Sequence, residues 1–223
     1  MNYDRYRLFK HRNFEKAGET VFYLLAKLIL RIFFSFTGGV KADGISNVPK
    51  KGPLIIVSNH QSILDPTVLM ACISRRIHFL AAAYLFRIPV LNILLPMAGA
   101  IPVKSEKGDL ASFKKALRIL AKGGVIALFP EGGVSPDGSL RPFKHGWAYL
   151  ALKSGAPVLP VAVIGTRDVL PVGTYMPRRG RIEVRVGECV AVQKKGRVRQ
   201  EDFGELNMMM EGRLKSLLVG TRQ

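Results

Sequence analysis

Cysteine is scarce in this chain of 223 residues, which has two, Cys72 and Cys189. Two distant cysteines make no disulfide framework, and this favours a reducing, cytoplasmic environment. Together with four scattered histidines they also lack the spacing of metal ligands, so we predict no structural zinc. The pattern Gly-x-Ser-x-Gly is absent and neither cysteine adjoins a histidine in sequence, so no serine or cysteine nucleophile is indicated.

Acidic residues are also few, because 16 Asp and Glu stand against 34 Lys and Arg, a formal net charge of +18. Such an excess predicts an anionic partner, either nucleic acid or the negatively charged surface of a membrane. A nucleic-acid module would need aromatic residues interleaved with basic ones, or a recognisable motif, and the sequence has neither. We therefore expect an anionic membrane surface, and no nucleic acid, as a partner.

An almost wholly apolar run extends from Val21 to Phe36. As a helix these 16 residues would be about 24 Å long, short of the ~30 Å hydrocarbon core, so we expect no span. Its polar residues fall along one stripe, which is typical of a helix in the bilayer interface: Thr20, Lys27, Arg31 and Ser35. Basic residues that would meet headgroups precede it: Arg5, Arg7, Lys10, Arg12 and Lys16.

This pattern assigns residues 1–39 to a basic and amphipathic membrane-anchoring segment and residues 40–223 to the folded domain. We expect the protein to be membrane-associated on the cytoplasmic face. A secretory signal is disfavoured by the charges inside the apolar run and by the lack of a clear small-residue cleavage site. A buried core helix remains an alternative for this run.

The segment Ser58-Asn59-His60-Gln61-Ser62-Ile63-Leu64-Asp65-Pro66 follows the apolar run Leu54 to Val57, which predicts a buried strand. Residues five apart do not share a helix face, so His60 and Asp65 can pair only across a strand-to-helix turn. An imidazole oriented by a carboxylate suits proton abstraction near neutral pH. Asp65 has a second interpretation as the N-cap of a helix over Pro66 to Ile73.

The remaining pattern alternates strands and helices, which predicts an α/β fold. Strands are predicted over Val125–Phe129, Val158–Ile164 and Arg181–Val186, and helices over Leu110–Lys122, capped by Asp109, and over Gly146–Ser154. A C-terminal helix is indicated by apolar residues at helical spacing: Phe203, Leu206, Met210, Leu214 and Leu217. We predict a single α/β domain with a central, mostly parallel sheet flanked by helices, preceded by the N-terminal amphipathic membrane-interface helix.

Four blocks in order resemble the glycerolipid acyltransferase family, typified by lysophosphatidic acid acyltransferase. They cover roughly residues 40–187, and four matches in sequence are far more specific than one. The blocks are Asn59-His60 through Asp65, Gly99 to Lys104, Phe129 to Ser135 and Val158 to Ala162.

The resemblance implies transfer of a fatty acyl group from a thioester, on CoA or acyl carrier protein, to a lipid hydroxyl. His60 would be the general base, Asp65 would hold it, and the acceptor oxygen would attack the thioester directly without an acyl-enzyme. Glu131 would position the phosphorylated glycerol backbone at a turn opened by glycines. No cofactor is expected beyond the thioester co-substrate. His145 is the only rival base.

Two departures from the family pattern leave more than one acceptor compatible with the sequence. Lys104 stands where the family has Arg, and Gly133-Val134 where it has Thr-Arg, and Lys cannot form the bidentate fork of Arg. Arg141 and Lys144 could supply the missing charge or form a solvated basic loop. The expected product is phosphatidic acid from lysophosphatidic acid, with glycerol-3-phosphate or another lysolipid as alternative acceptors. The predicted substrate-binding residues are Asn59, Lys104, Glu131, Gly132, Gly133, Arg141 and Lys144.

Two further stretches admit several interpretations. The apolar region from His78 to Val103 could line an acyl-chain tunnel, touch the membrane or belong to the core. The basic residues around 178–181 and 194–199 could bind lipid headgroups, the phosphates of CoA, or acidic acyl carrier protein.

Overall fold

The apolar runs of the sequence form the strands of one sheet. The computed structural model describes residues 14–89, 91–104 and 110–220. The strands are β1 (Val40–Asp43), β2 (Leu54–Ser58), β3 (Ile77–Ala82), β4 (Ile101–Val103), β5 (Val125–Leu128), β6 (Val158–Ile164) and β7 (Ile182–Val186). Their order across the sheet is β1-β7-β6-β2-β5-β3-β4.

Five neighbouring strands, β6, β2, β5, β3 and β4, run parallel, whereas β7 is antiparallel to β6 and parallel to β1. The carboxyl ends of those five strands therefore lie at the same edge of the sheet. At this edge Val57 of β2 is in register with Leu128 of β5 and with Pro160 of β6. The loops that follow β2, β5 and β6 are accordingly neighbours.

Helices cover both faces of the sheet. They are α1 (Phe14–Thr37), α2 (Asp65–Cys72), α3 (Leu91–Met97), α4 (Leu110–Ala121), α5 (Gly146–Ser154), α6 (Thr166–Val169) and α7 (Glu201–Val219), with short 3-10 turns at Ile45–Asn47 and Ala83–Arg87. The predicted single α/β domain with a mostly parallel sheet, preceded by a helix, is confirmed. The assignment of residues 1–39 and 40–223 to separate roles stays a prediction; α1 ends at Thr37 and β1 begins at Val40.

Alternation along each buried strand builds two apolar cores. Leu54 and Ile56 of β2 join the core that contains residues of α1 and α2, whereas Ile55 and Val57 join the core that contains residues of α4, α5 and α7. Successive side chains of a strand point to opposite faces of the sheet, so these two pairs of residues lie in different cores. The predicted packing residues of α7 all join the second core: Phe203, Leu206, Met210, Leu214 and Leu217.

Two members of the polar stripe of α1, Lys27 and Arg31, bind the domain. Lys27 is buried and donates a hydrogen bond to the carbonyl of Ile73, and Nε of Arg31 donates to the carbonyl of Ala71 at 2.9 Å. Those carbonyls belong to the end of α2, where a helix leaves acceptors unsatisfied and attracts cations. Burial lowers the pKa of Lys27, and Arg31 adds to this effect. The two charges inside the apolar run therefore bind the protein itself, which the sequence pattern did not indicate.

The opposite face of α1 is apolar and exposed, which also contradicts the alternative of a buried core helix. Its large exposed side chains are Val21, Leu24, Leu25, Leu28, Ile29, Ile32 and Phe36. At 24 residues α1 is about 36 Å long, and Thr20–Thr37 is, within the described residues, the one helical stretch that could cross a membrane by length and composition. Arg5, Arg7, Lys10, Arg12 and Asp109 lie outside the described residues, as does the side chain of Lys16.

Candidate active site

The predicted His and Asp come together at the carboxyl edge of the sheet. His60 follows β2, and Nδ1 of His60 lies 2.8 Å from Oδ2 of Asp65. The same carboxylate oxygen accepts the backbone N–H groups of Gln61 at 2.7 Å and of Ser62 at 2.9 Å. Because a carboxylate accepts, Nδ1 carries the hydrogen, which leaves Nε2 as the nitrogen that can take a proton.

The N-cap interpretation of Asp65 is wrong. Helix α2 begins at Asp65 itself, Leu64 precedes it, and the carboxylate accepts from the preceding loop rather than from the helix's own N–H groups. Pro66 lies in the first turn, where its missing N–H costs no hydrogen bond. The side chain that could have capped α2 is thus used to orient His60.

Thr166 completes the surroundings of Asp65 and was not predicted. Its hydroxyl donates to Oδ1 of Asp65 at 2.5 Å, and both residues are fully buried. Thr166 begins α6, one residue after the end of β6, and is 101 positions from Asp65 in the chain. A threonine after a strand carries no signal of such a contact in the sequence.

His60 is held through its backbone and ring as well. Its N–H donates to Oε1 of Glu131 at 2.8 Å, and its carbonyl accepts the N–H of Ser135 at 2.8 Å. The imidazole stacks on Phe129, with ring centroids 4.0 Å apart. The side chain nevertheless stays 14% exposed, so part of the residue that Asp65 orients is open to solvent.

Glu131 is buried and binds two backbone groups. Besides the N–H of His60, it accepts the N–H of Arg141 at Oε2, at 3.1 Å. Burial raises the pKa of Glu131 above its ordinary value of 4.5, although these hydrogen bonds and the charges of His60 and Arg141 act in the opposite direction. The carboxylate therefore ties the His60 loop to the loop after β5.

Asn59 was predicted to bind substrate, and in the structure its side chain binds the backbone of β6. Its side chain is buried, Nδ2 donates to the carbonyl of Val163, and Oδ1 accepts the N–H of Val163, each at 2.8 Å. The amide thereby mimics one more backbone pair between the end of β2 and β6. Both of its polar atoms are used within the protein.

Two predicted basic residues lie against the glycine turn after β5. Gly132 has a φ of +76°, and a Cβ added there would lie 2.5 Å from Nζ of Lys144. A Cβ on Gly133 would lie 3.9 Å from an Nη of Arg141. Gly132 thus allows both the left-handed backbone and the close approach of Lys144.

Lys104 lies farther away at the same edge. It directly follows β4, which is two strands from β5, or about 10 Å at the usual strand spacing. Three basic residues thus lie toward one edge of the sheet. Lys104 ends the second sequence block, and Arg141 and Lys144 follow the third. Which of them contacts substrate stays a prediction.

The other candidate groups lie elsewhere. His145 contacts Asn207 through Nδ1 at 3.1 Å and stacks on Phe203, so it belongs to the packing of α5 on α7. Burial raises the pKa of the Cys72 thiol to about 11, and it also raises that of Cys189. Within residues 14–89, 91–104 and 110–220, no cluster of three His, Cys, Asp or Glu could hold a metal ion.

The region that holds this site matches a known protein family. A family model described as Acyltransferase matches residues 39–164, more than half of the chain and all strands from β1 to β6. The chain belongs to the acyltransferase family. This confirms the family predicted from the four sequence blocks, and His60, Asp65 and Glu131 all fall within the matched region of this acyltransferase.

Relatives with a named activity share the same region. The acyltransferase is 36% identical over 134 residues to a 1-acyl-sn-glycerol-3-phosphate acyltransferase of Borreliella burgdorferi, covering 58% of this chain and 54% of that protein. It is 32% identical over 164 residues to a chloroplastic 1-acyl-sn-glycerol-3-phosphate acyltransferase of Brassica napus, covering 72% and 47%. The chain thus spans about half the length of these curated relatives.

A solved structure shares the fold. The 1-acyl-sn-glycerophosphate (LPA) acyltransferase PlsC of Thermotoga maritima matches with a TM-score of 0.75 and 26% identity, covering 99% of this acyltransferase and 89% of that chain. The match extends across nearly the whole chain, so it includes α1 and α7 as well as the sheet.

Proposed function

We propose that this acyltransferase moves a fatty acyl group from acyl-CoA or acyl carrier protein to the free hydroxyl of lysophosphatidic acid, giving phosphatidic acid. The observation that carries the proposal is the 2.8 Å contact between His60 Nδ1 and Asp65 Oδ2, which leaves Nε2 on a partly exposed ring. The names of the relatives supply the acceptor and product. No nucleic acid and no cofactor beyond the thioester takes part.

In the proposed reaction Nε2 of His60 removes the proton of the acceptor hydroxyl as its oxygen attacks the thioester carbonyl. The carbonyl carbon becomes tetrahedral, the bond to sulfur breaks, and the leaving thiolate takes the proton from the imidazolium. Asp65 stabilises that imidazolium and fixes the tautomer, as a carboxylate does for a catalytic base. No bond forms between the acyl group and the protein.

The phosphate of the acceptor would meet the basic edge formed by Arg141, Lys144 and Lys104. Lys144 and Arg141 lie at the Gly132-Gly133 turn, which belongs to the loop that Glu131 binds to His60. A point charge such as Lys144 can hold a phosphate without the bidentate geometry of Arg. Glu131 then contributes to acceptor binding by positioning this loop.

A panel assay tests the substrate assignment. The purified protein is supplied with acyl-CoA or acyl carrier protein thioesters and, separately, with lysophosphatidic acid, glycerol-3-phosphate, and lysolipids with larger headgroups. We expect the highest kcat/KM with lysophosphatidic acid. A preference for glycerol-3-phosphate or another lysolipid would overturn the acceptor and agree with the Lys104 and Gly133-Val134 departures. Transfer to none of them would overturn the activity.

Membrane association is the second part of the proposal. Tyr23, Lys27 and Arg31 fix α1 along the domain, since the Tyr23 hydroxyl accepts the N–H of Ile77 at 3.1 Å and the cations bind the end of α2. A helix attached along several turns lies on the surface, and its apolar face is free to enter the interface. Burial there stabilises binding by about 25 cal/mol per Å², and nearby cations add about 1 kcal/mol each. We assign this contact to the cytoplasmic face.

Liposome sedimentation tests the attachment. Leu25→Asp with Ile29→Asp places two charges on the exposed face of α1 and should release the protein from anionic vesicles. Lys50→Ala with Lys51→Ala changes the net charge by the same amount at exposed positions before β2 and serves as the control. Equal loss of binding in both variants would show that charge, rather than the apolar face, holds the protein.

A further inference from the structure

A second apolar surface lies on the loop from Pro171 to Arg179, which follows α6 and is called here the 171–179 loop. Val172 is exposed, and Tyr175 and Met176 are 94% and 79% exposed. The N–H and hydroxyl of Thr174 both donate to the carbonyl of Pro171, at 3.1 and 2.8 Å. The loop thus contains its own turn, at which large apolar side chains are exposed to solvent. Such clusters of exposed apolar side chains are uncommon on the surfaces of soluble proteins.

Basic residues follow the apolar tip directly. Arg178, Arg179 and Arg181 are all exposed and lie within a few residues of Met176. Apolar side chains flanked by cations are typical of segments that enter the interface of an anionic bilayer. A tyrosine suits that depth because its ring is apolar and its hydroxyl polar.

The chain that leaves the 171–179 loop is joined to the C-terminal end of α1. The N–H of Gly180 donates to the carbonyl of Thr37, the last residue of α1, at 2.8 Å, and the N–H of Arg178 donates to the carbonyl of Val169 at 2.7 Å. Phe36, one residue earlier in α1, is among the exposed apolar side chains. One bilayer surface can therefore contact α1 and this loop together.

The loop is also joined to the candidate active site. The hydroxyl of Ser62 donates to the carbonyl of Leu170 at 2.9 Å, and the N–H of Ser62 donates to Asp65. Thr166, in the helix that leads into the loop, donates to Asp65 as well. The loop thus begins next to the residue that fixes the His60–Asp65 turn.

We propose that the 171–179 loop is a second lipid contact. Val172, Tyr175 and Met176 enter the interface of an anionic bilayer, Arg178 and Arg179 meet its headgroups, and the carboxyl edge of the sheet is held at the membrane surface. This inference rests on the proposed membrane-associated function. A bilayer is favoured over acyl carrier protein because cations alone suffice for an acidic protein, whereas the tip carries three large apolar side chains.

Tyr175→Ser with Met176→Ser tests the contact in the full chain. Binding to vesicles of phosphatidylcholine and phosphatidylglycerol should weaken on the order of tenfold. Transfer to lysophosphatidic acid in those vesicles should fall, while transfer to detergent-dispersed acceptor should not change. Met208→Ser with Val219→Ser is the matched control, because these residues are 77% and 83% exposed on α7, which packs against the other core.

Unchanged vesicle binding in the loop variant would overturn the proposal, as would an equal loss in the control. Intact vesicle binding with a raised KM for acyl carrier protein would also overturn it and assign the loop to the donor. Failure of the proposed function can be distinguished from failure of this inference. In the first case the wild type would transfer no acyl group, but vesicle binding of the wild type, the loop variant and the control could still be compared.

Fluorescence quenching gives a direct measurement. A Tyr175→Trp variant should be quenched by vesicles of brominated lipid, whereas the native Trp147 is buried and should not respond. No additional quenching in the variant, in a protein that is bound to those vesicles, would show that the loop stays outside the bilayer.

Discussion

The hydroxyl of Thr166 lies 2.5 Å from Oδ1 of Asp65, although the two residues are 101 positions apart in the chain. Oδ2 of the same carboxylate faces Nδ1 of His60 and two backbone N–H groups. Both oxygens of the Asp65 carboxylate therefore accept hydrogen bonds, which fix its orientation. The orientation of His60 depends on the end of β6 as well as on its own loop.

Thr166→Val should lower kcat about ten- to a hundredfold, because it removes a hydrogen bond to the carboxylate and leaves Oδ1 buried without its donor. Acceptor KM should stay unchanged, since Thr166 is fully buried. Thr166→Ser keeps the hydroxyl and should retain most of the activity. Steady-state kinetics on the two folded variants checks this. A normal kcat for Thr166→Val would show that Thr166 does not position Asp65 for catalysis.

Glu131→Gln should destabilise the fold by about 1–3 kcal/mol, because the amide cannot accept at both positions from the N–H groups of His60 and Arg141. Urea unfolding, monitored by circular dichroism, measures the change. Binding of acyl-CoA should change less than turnover, since Glu131 binds the backbone of the proposed base His60 and of Arg141.

The loss in Glu131→Gln should also depend on pH. Burial raises the folded-state pKa of Glu131 above 4.5, so its protonation favours the fold. The stability that it contributes is complete below the ordinary value and decreases as pH rises through the raised pKa. The difference in free energy of unfolding between wild type and variant should therefore be larger near pH 4.5 than at neutral pH. A difference that is independent of pH would contradict the assigned shift.

Lys144→Ala should raise KM for lysophosphatidic acid on the order of tenfold, because a charge-assisted contact to its phosphate is lost. KM for monoacylglycerol, which has no phosphate, should not change. Lys51→Ala removes one charge from an exposed position before β2 and provides the control. Equal effects on both acceptors would remove Lys144 from the phosphate site.

Replacing both Cys72 and Cys189 by serine should leave turnover near that of the wild type. Burial holds the pKa of Cys72 at about 11 and raises that of Cys189, so neither thiol is ready to act as a nucleophile at neutral pH. Mass spectrometry of the enzyme during turnover provides the second readout. A fatty acyl adduct on either cysteine would replace the direct transfer with a covalent mechanism.

The sequence predicts the elements whose signals are local. The helix Gly146–Ser154 and the strand Val158–Ile164 are predicted at the bounds that they have, because a helical pattern, a turn glycine and an apolar run follow one another. His60 and Asp65 come together as predicted, since they are only five positions apart and one turn suffices.

Long-range contacts account for what could not be predicted. Periodicity shows that Lys27 and Arg31 share one face of α1, but not that the end of α2 offers carbonyls to that face. Likewise the amide of Asn59 finds its partner in Val163, 104 residues later, and no local pattern distinguishes a buried amide from one that contacts a ligand.

A comparison of His60→Ala with the wild type tests most directly whether His60 acts as the general base in acyl transfer. Thiol release from acyl-CoA and phosphatidic acid formation are measured together with the circular dichroism spectrum and vesicle binding. We expect turnover to fall about a hundred- to ten-thousandfold while fold and binding are kept. Near-normal turnover by folded His60→Ala would contradict the mechanism.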